Sequence, residues 1–272
     1  MDKTILITGS STGIGKATAT HFHDQGWNVI ATMRTPEKEE DLVGLDNVLI
    51  TKLDVLDLDS IDQSIQKGIE AFGKIDVLVN NAGYGAYGPL EAFPRENIIR
   101  QFHTNVIGLL DVTRAILAHF RSNQSGVIIN ISSMGGIITF PLGSLYHGTK
   151  FAVEGISESL SYEAEQIGVK VKIVEPGVIA TDFTGRSFDF QTDPEMTEYH
   201  AITNAFIQAM SGDAVPQPSP ASLVAEVIYQ AATDDSTKLR YVAGEDAHQY
   251  IGARQTVGDE AFIQNMKDQL QL

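Results

Sequence analysis

Tyr146 stands thirteen residues after Ser133 and opens the run Tyr146-His147-Gly148-Thr149-Lys150. On a helix, positions i and i+4 share a face, which would put Tyr146 and Lys150 within reach of each other. A phenol titrates near ~10 in water, too high to exchange protons efficiently at neutral pH. A neighbouring ammonium favours the phenolate and lowers that value, making tyrosine a usable acid or base. The Ser133 hydroxyl could hold a substrate oxygen beside the phenol. Alone, a Tyr-x3-Lys pair is equally an inert pair on a helix surface. The rest of the chain has to decide.

A second group of residues points to an anion. Thr8-Gly9-Ser10-Ser11-Thr12-Gly13-Ile14-Gly15 lies between an apolar strand and a helix. Gly9 permits the tight turn, Gly13 lets backbone approach a pyrophosphate, and Gly15 lets the helix pack closely on the strand. The free amides and positive dipole end of that helix favour negative charge. A packing turn with no ligand is the competing reading. After the second strand the chain reads Ala31-Thr32-Met33-Arg34-Thr35, with no acid before Glu37. A dinucleotide fold that prefers NAD presents an acid there to the ribose hydroxyls. Arg34 can instead meet a 2′-phosphate with a charge-assisted fork, which favours NADP(H) over a mere surface arginine. Thr12 is not basic, so a second cation beside the glycine turn is missing.

These groups need elements to position them. Strands are predicted at Thr4–Thr8, Trp27–Thr32, Val48–Leu53, Ile75–Val79, Gly126–Ile131, Val169–Val174 and Leu239–Val242. Helical periods fall at Ile14–Gln25, Ser60–Phe72, Arg95–Arg121, Tyr146–Ile167 and Ala221–Ala232. Strands this apolar are covered on both faces, and the alternation implies right-handed crossovers. The expectation is a single α/β domain over residues 1–272, a doubly wound Rossmann arrangement with a mostly parallel seven-stranded sheet. Binding groups should gather at the carboxyl ends of the strands. An insertion at about 183–219 precedes the last helix and strand. It runs through Gly185–Pro194, a helical Glu195–Met210 and a linker-like Ser211–Pro220. That helix would be either a substrate lid or surface decoration.

Composition removes several alternatives. The 272 residues are 43% hydrophobic, enough for one large core. Nineteen basic against thirty-five acidic side chains give a net charge of −16, so neither nucleic acid nor an anionic membrane is expected as a partner. With no cysteine there is no disulfide, thiol nucleophile or cysteine-built metal site. The seven histidines make no metal-ligand spacing with nearby acids. His147 falls on a different helix face from Tyr146, and Gly148 inside a helix costs ~1 kcal/mol relative to alanine. The chain opens on an apolar strand without a signal peptide, and a cytoplasmic protein is expected.

In this order the motifs resemble the short-chain dehydrogenase/reductase family in its compact, roughly 250-residue form, closely over about residues 3–182. They are the Thr8–Gly15 turn, Asp54-Val55, Asn80-Asn81-Ala82-Gly83, Asn105, Ser133, Tyr146-x3-Lys150 and Pro176-Gly177 with Thr181. The resemblance implies that Gly9, Ser11, Thr12, Gly13, Ile14, Gly15 and Arg34 hold NADP(H). Asp54 and Val55 would contact the adenine, and Asn81, Ala82 and Gly83 would line the cleft. Pro176, Gly177, Ile179 and Thr181 would hold the nicotinamide end. Tyr146 would move the proton, Lys150 would bind ribose hydroxyls and lower the Tyr146 pKa, and Ser133 would hold the carbonyl oxygen. Asn105 would interrupt its helix and hold a water leading from Lys150 to solvent.

The implied activity is NADPH-dependent reduction of a ketone or aldehyde, similar to carbonyl reductases and to hydroxysteroid or retinol dehydrogenases. Oxidation of an alcohol at the same site is the alternative, and so is a non-catalytic NADP(H)-sensing regulator. The small hydrophobic substrate would be walled by Tyr84, Tyr87, Gly135, Ile137, Phe140, Leu142, Phe183, Phe188, Tyr199 and residues of the Glu195–Met210 helix. A homodimer or homotetramer formed through the Arg95–Arg121 and Tyr146–Ile167 helices is implied as well.

Overall fold

The computed structural model describes residues 3–183, 185–211, 217–270 and 272. Residue 184 of the expected insertion and residues 212–216 of its linker lie outside the described residues. The central sheet contains β1 (Thr4–Ile7), β2 (Asn28–Met33), β3 (Val48–Lys52), β4 (Val77–Asn80), β5 (Gly126–Ile131), β6 (Val169–Pro176) and β7 (Arg240–Ala243). Their spatial order is β3-β2-β1-β4-β5-β6-β7, every pairing parallel. The order reverses between β1 and β4, where a crevice opens beyond the strand ends.

Both faces of this sheet are covered, which is why its strands carry apolar residues without alternation. In β1, Ile5 and Ile7 face Phe22 of α1 (Gly13–Asp24) and Ile228 of α7 (Ala221–Thr233). Leu6, between them, faces α2 (Leu58–Phe72) and α4 (Gly108–Asn123) through Ile61, Ile65, Val112 and Ile116. Each of these fully buried side chains contributes roughly 1.5–3 kcal/mol by leaving water. Among the described residues no helix is long and apolar enough to cross a membrane.

The helix read over Arg95–Arg121 is interrupted at Asn105, as the resemblance implies: it is α3 (Arg95–Phe102), a π-helical turn at His103–Ile107, and α4. Three departures from the predicted elements also bear on the site. The insertion helix is α6 (His200–Ser211), entered through a 3-10 turn at Thr197–Tyr199. Before it, Phe188–Phe190 pairs in parallel with Gly85–Tyr87. Beyond β7 the chain adds α8 (Glu245–Val257) and α9 (Asp259–Gln269), absent from the predicted set. Both are largely polar and bury only a few apolar residues, Ile251, Phe262 and Met266 among them.

Candidate active site

The phosphate side is built on the turn after β1. Gly9 takes φ +71° and Gly15 stands so close to the turn that an added Cβ would come within 2.3 Å of the Gly9 carbonyl oxygen. Asn81 clamps the turn, its Nδ2 donating to the carbonyls of Thr8 (2.8 Å) and Gly9 (3.1 Å). Thr8 Oγ1 accepts the amides of Asn81 and Ala82 in return. At the head of α1, Thr12 makes no side-chain cap and the first turn carries no acid, so the amides there are left for an anion. Arg34, exposed just past β2, forms no ion pair among the described residues. Asp54 follows β3, and its Oδ1 accepts the Leu56 amide at 3.0 Å. Val55 is buried against Gly108, where an added Cβ would approach its side chain to 2.7 Å.

The proton-transfer side is built on α5 (Ser144–Glu165). Tyr146 and Lys150 do share a buried face, with Lys150 Nζ 5.8 Å from the phenol ring centroid. The ammonium donates to the Ile131 carbonyl at 2.8 Å, at the end of β5, and so is fixed under the sheet edge. Ser133 leaves that same strand, and its Oγ accepts the Gly135 amide at 3.0 Å. The expected acidification of the phenol is not what the structure shows. Burial raises the Tyr146 pKa above its ordinary value, and a hydrogen bond with Ser133 works in the opposite direction. The spacing gave proximity to a cation but not the amount of solvent removed. Burial also lowers Lys150 to about 8, with the charge of Glu154 opposing.

The π turn brings Asn105 inward. Its Oδ1 accepts the Tyr84 amide at 3.1 Å, and its Nδ2 donates to the Tyr84 carbonyl (2.8 Å) and to Thr149 Oγ1 (3.1 Å). The side chain therefore joins three elements and is fully engaged within the protein. Gly83 lies against it, and an added Cβ would sit 3.1 Å from Asn105 Oδ1. At the far end, Gly177 follows β6 and packs on Asp246, whose Oδ2 accepts the Val178 amide at 2.7 Å. Ile179 lies in a short strand paired with Ser219, and Thr181 Cγ2 would lie 3.3 Å from a Cβ on Gly13.

An aromatic enclosure covers the phenol. Tyr87 and Phe183 meet Tyr146 at 5.4 and 5.7 Å between ring centroids, and Phe188 and Phe206 stack on Tyr87 at 5.2 and 5.7 Å. Tyr146 is only 9% exposed, so these rings shield its hydroxyl face from solvent. Phe206, from the helix expected as a lid and so among the expected walls, extends the stack, and Phe190, which was not expected there, continues it. Ile137 and Phe140, expected there, pack instead with Met134, Ile251 and Phe262 under α8 and α9. Tyr84 and Tyr199 are spent on Arg100 and Glu91. A cavity of about 330 Å³, lined by Phe190, Met196, Tyr199, His200 and Ile207 among others, touches none of Ser133, Tyr146 or Lys150. It lies at the outer end of the aromatic stack.

Two polar groups have roles that the sequence reading did not assign. His147 Nε2 accepts the Phe140 amide at 3.0 Å, so Nδ1 donates to the Gly135 carbonyl at 2.9 Å. Burial lowers its pKa, and with both nitrogens engaged it holds the segment carrying Ser133 in place. Behind Lys150, Arg240 bridges buried Glu154 (3.0 Å) and Glu175 (3.5 Å). Burial and then the charge of Glu154 push Glu175 up to about 7. No local motif announces this cluster, because its members come from α5, β6 and β7. Among the described residues no group of three or more metal-ligating side chains comes together.

A parallel sheet in this order, with a glycine turn at the crevice and a Ser-Tyr-Lys set across from it, is the frame of a nucleotide-dependent oxidoreductase. Residues 3–192 match the short chain dehydrogenase family. An uncharacterised oxidoreductase of Schizosaccharomyces pombe is 45% identical over 243 residues, spanning 88% of this chain and 100% of the relative. A short-chain dehydrogenase structure from Streptomyces avermitilis superposes with TM-score 0.83 at 34% identity, covering 98% of this chain and 96% of that one. The structure of ElxO with NADP bound gives 0.72 at 30% identity, covering 89% and 98%. The chain belongs to the short chain dehydrogenase family and is an oxidoreductase.

Proposed function

We propose that this enzyme uses NADPH to reduce hydrophobic ketones or aldehydes. The observation that carries the reading is a buried phenol flanked by a serine hydroxyl and a fixed lysine, all beneath an aromatic roof. The residues fit NADP(H): an uncapped helix N-terminus without acids, a turn that a Cβ at Gly15 would obstruct, and an unpaired Arg34. When bound, the cofactor supplies the hydride. Tyr146 Oη delivers a proton to the carbonyl oxygen, and Ser133 Oγ donates a hydrogen bond to that oxygen as charge develops. Its raised pKa keeps Tyr146 protonated, the state from which it donates, while making it a weaker acid than a free phenol. Lys150 takes the ribose hydroxyls, and Asn105 holds the α5 face to the β4 loop. Asp54 and Val55 face the adenine. Asn81, Ala82 and Gly83 line the cleft, while Pro176, Gly177, Ile179 and Thr181 position the nicotinamide end. The proposed setting is the cytoplasm. The proposed assembly is a homodimer or homotetramer through α3, α4 and α5, where Phe102, Ile107 and Phe151 remain exposed.

The test follows NADPH absorbance against a panel of aromatic and alicyclic ketones. Turnover of some members is expected. Silence across the panel with tight NADPH binding would favour the sensor, and faster turnover of the matching alcohols with NADP+ would favour oxidation. Arg34→Ala should weaken NADPH about ten- to a hundredfold, the range of a lost charge-assisted bond, and leave NADH nearly unchanged. Equal losses, measured by titration calorimetry, would place the phosphate elsewhere.

The Lys150 value gives a pH prediction. The ammonium is present below about 8 and lost above it. kcat/KM reports groups of the free enzyme, so kcat/KM for NADPH should decline as pH rises through about 8. A profile flat between pH 7 and 9 would show that the Lys150 charge is not required.

A further inference from the structure

The segment after β6 turns back over the glycine turn, and an arginine on it reaches across. Arg186 Nη2 lies 2.6 Å from Thr12 Oγ1 and 3.2 Å from Ser11 Oγ. Both partners are neutral hydroxyls, and no carboxylate pairs with this guanidinium among the described residues. Its Nε and Nη1 donors make no recorded bond there. In a chain of net charge −16, an arginine held beside a helix N-terminus without a counter-ion is a fork with donors to spare.

The place it occupies matters. Thr12 is where the sequence lacked a cation next to the turn. The Ser10 amide donates to the Thr32 carbonyl at 2.9 Å, so the turn runs along the end of β2, two residues short of Arg34. Arg34, also unpaired, rises from that strand end, while Arg186 comes from the opposite side of the crevice. The first turn of α1 carries no acid to neutralise either of them. Two arginine forks without ion-pair partners among the described residues, one bonded to the turn and one following the strand end that the turn bonds, suit a dianion, which bidentate arginine contacts recognise well.

Resting on the NADP(H) reading above, we propose that Arg186 is a second ligand to the cofactor's 2′-phosphate, supplied by the insertion rather than by the glycine turn. The Ser11 and Thr12 hydroxyls aim the guanidinium. Phosphate binding would then hold Arg186 on the turn, where these hydrogen bonds already place it.

Titration calorimetry of wild type, Arg186→Ala and Arg186→Lys with NADPH, NADH, 2′,5′-ADP and 5′-AMP tests this. Arg186→Ala should weaken NADPH and 2′,5′-ADP about tenfold or more, the size of a lost charge-assisted bond, while NADH and 5′-AMP stay nearly unchanged. Arg186→Lys should recover part of the loss, since charge remains but the fork does not. Arg186 is exposed, so unliganded thermal melts of the variants should match wild type. Unaltered NADPH affinity in Arg186→Ala would overturn the proposal. So would equal weakening of NADPH and NADH, which would put the guanidinium on the pyrophosphate. Wild type binding NADH as tightly as NADPH would instead remove the underlying reading of the site.

Discussion

Tyr146→Phe should cut turnover by about a thousandfold while leaving NADPH affinity nearly intact. In the proposed mechanism the substitution removes the group that gives up the proton, and general acid catalysis by a positioned side chain contributes about 10²–10⁴-fold. It also removes one of two hydrogen bonds to the oxygen on which charge develops. The ring itself stays, so its contacts with Tyr87 and Phe183 and the packing of α5 persist. Losing a buried hydroxyl whose recorded partner is Ser133 costs the fold little. Single-turnover mixing with a ketone that wild type reduces gives the readout. Undiminished reduction by the variant would strip Tyr146 of its role, and lost NADPH binding would make it a structural residue.

Gly15→Ala should be comparably damaging, at the opposite end of the proposed cofactor site. A methyl group there would lie 2.3 Å from the Gly9 carbonyl oxygen and 2.5 Å from Asn81 Nδ2. The first is backbone and cannot swing aside, so α1 must retreat from the sheet or the turn must reshape. Overpacking of this kind costs roughly 1–3 kcal/mol, more where backbone is displaced. Either adjustment breaks the Asn81 clamp on Thr8 and Gly9, and the amides of the turn lose their aim. A lowered melting temperature and NADPH binding too weak to titrate are expected. A variant that melts and binds like wild type would mean the glycine is not required for close packing.

What was readable in the sequence follows from what is local or repetitive. Seven apolar strands spaced by helical periods define a parallel sheet, and parallel strands send every carboxyl end to one edge. That alone gathers the Gly9 turn, Arg34, Asp54, Asn81, Ser133 and Pro176. The i, i+4 spacing then sets Tyr146 beside Lys150. Contacts between distant segments carry no such signature. Arg186 meets Thr12 across 174 positions, and Glu154 and Glu175 share Arg240 across three elements. Polar α8 and α9 lack a clear apolar stripe, so no helix is predicted there. The direction of the Tyr146 shift was missed for a related reason. Spacing shows which charge is near, whereas burial depends on Tyr87, Phe183 and Phe206, which arrive from elsewhere.

The break at His103–Ile107 contains no proline, and its only neighbouring glycine is Gly108, so the helical period runs through it unmarked. A π turn is an α-helix with one surplus residue. At 3.6 residues per turn, that residue rotates everything after it by about 100°. Upstream of the surplus, α3 keeps Gln101 on Tyr84; within it, Asn105 reaches Tyr84 and Thr149; just past it, Gly108 meets Val55, the proposed adenine contact. A regular helix could satisfy one end of that series but not both. Shortening this stretch by a single position would therefore dephase the nucleotide end of the crevice from the reacting end, even with every named side chain still present.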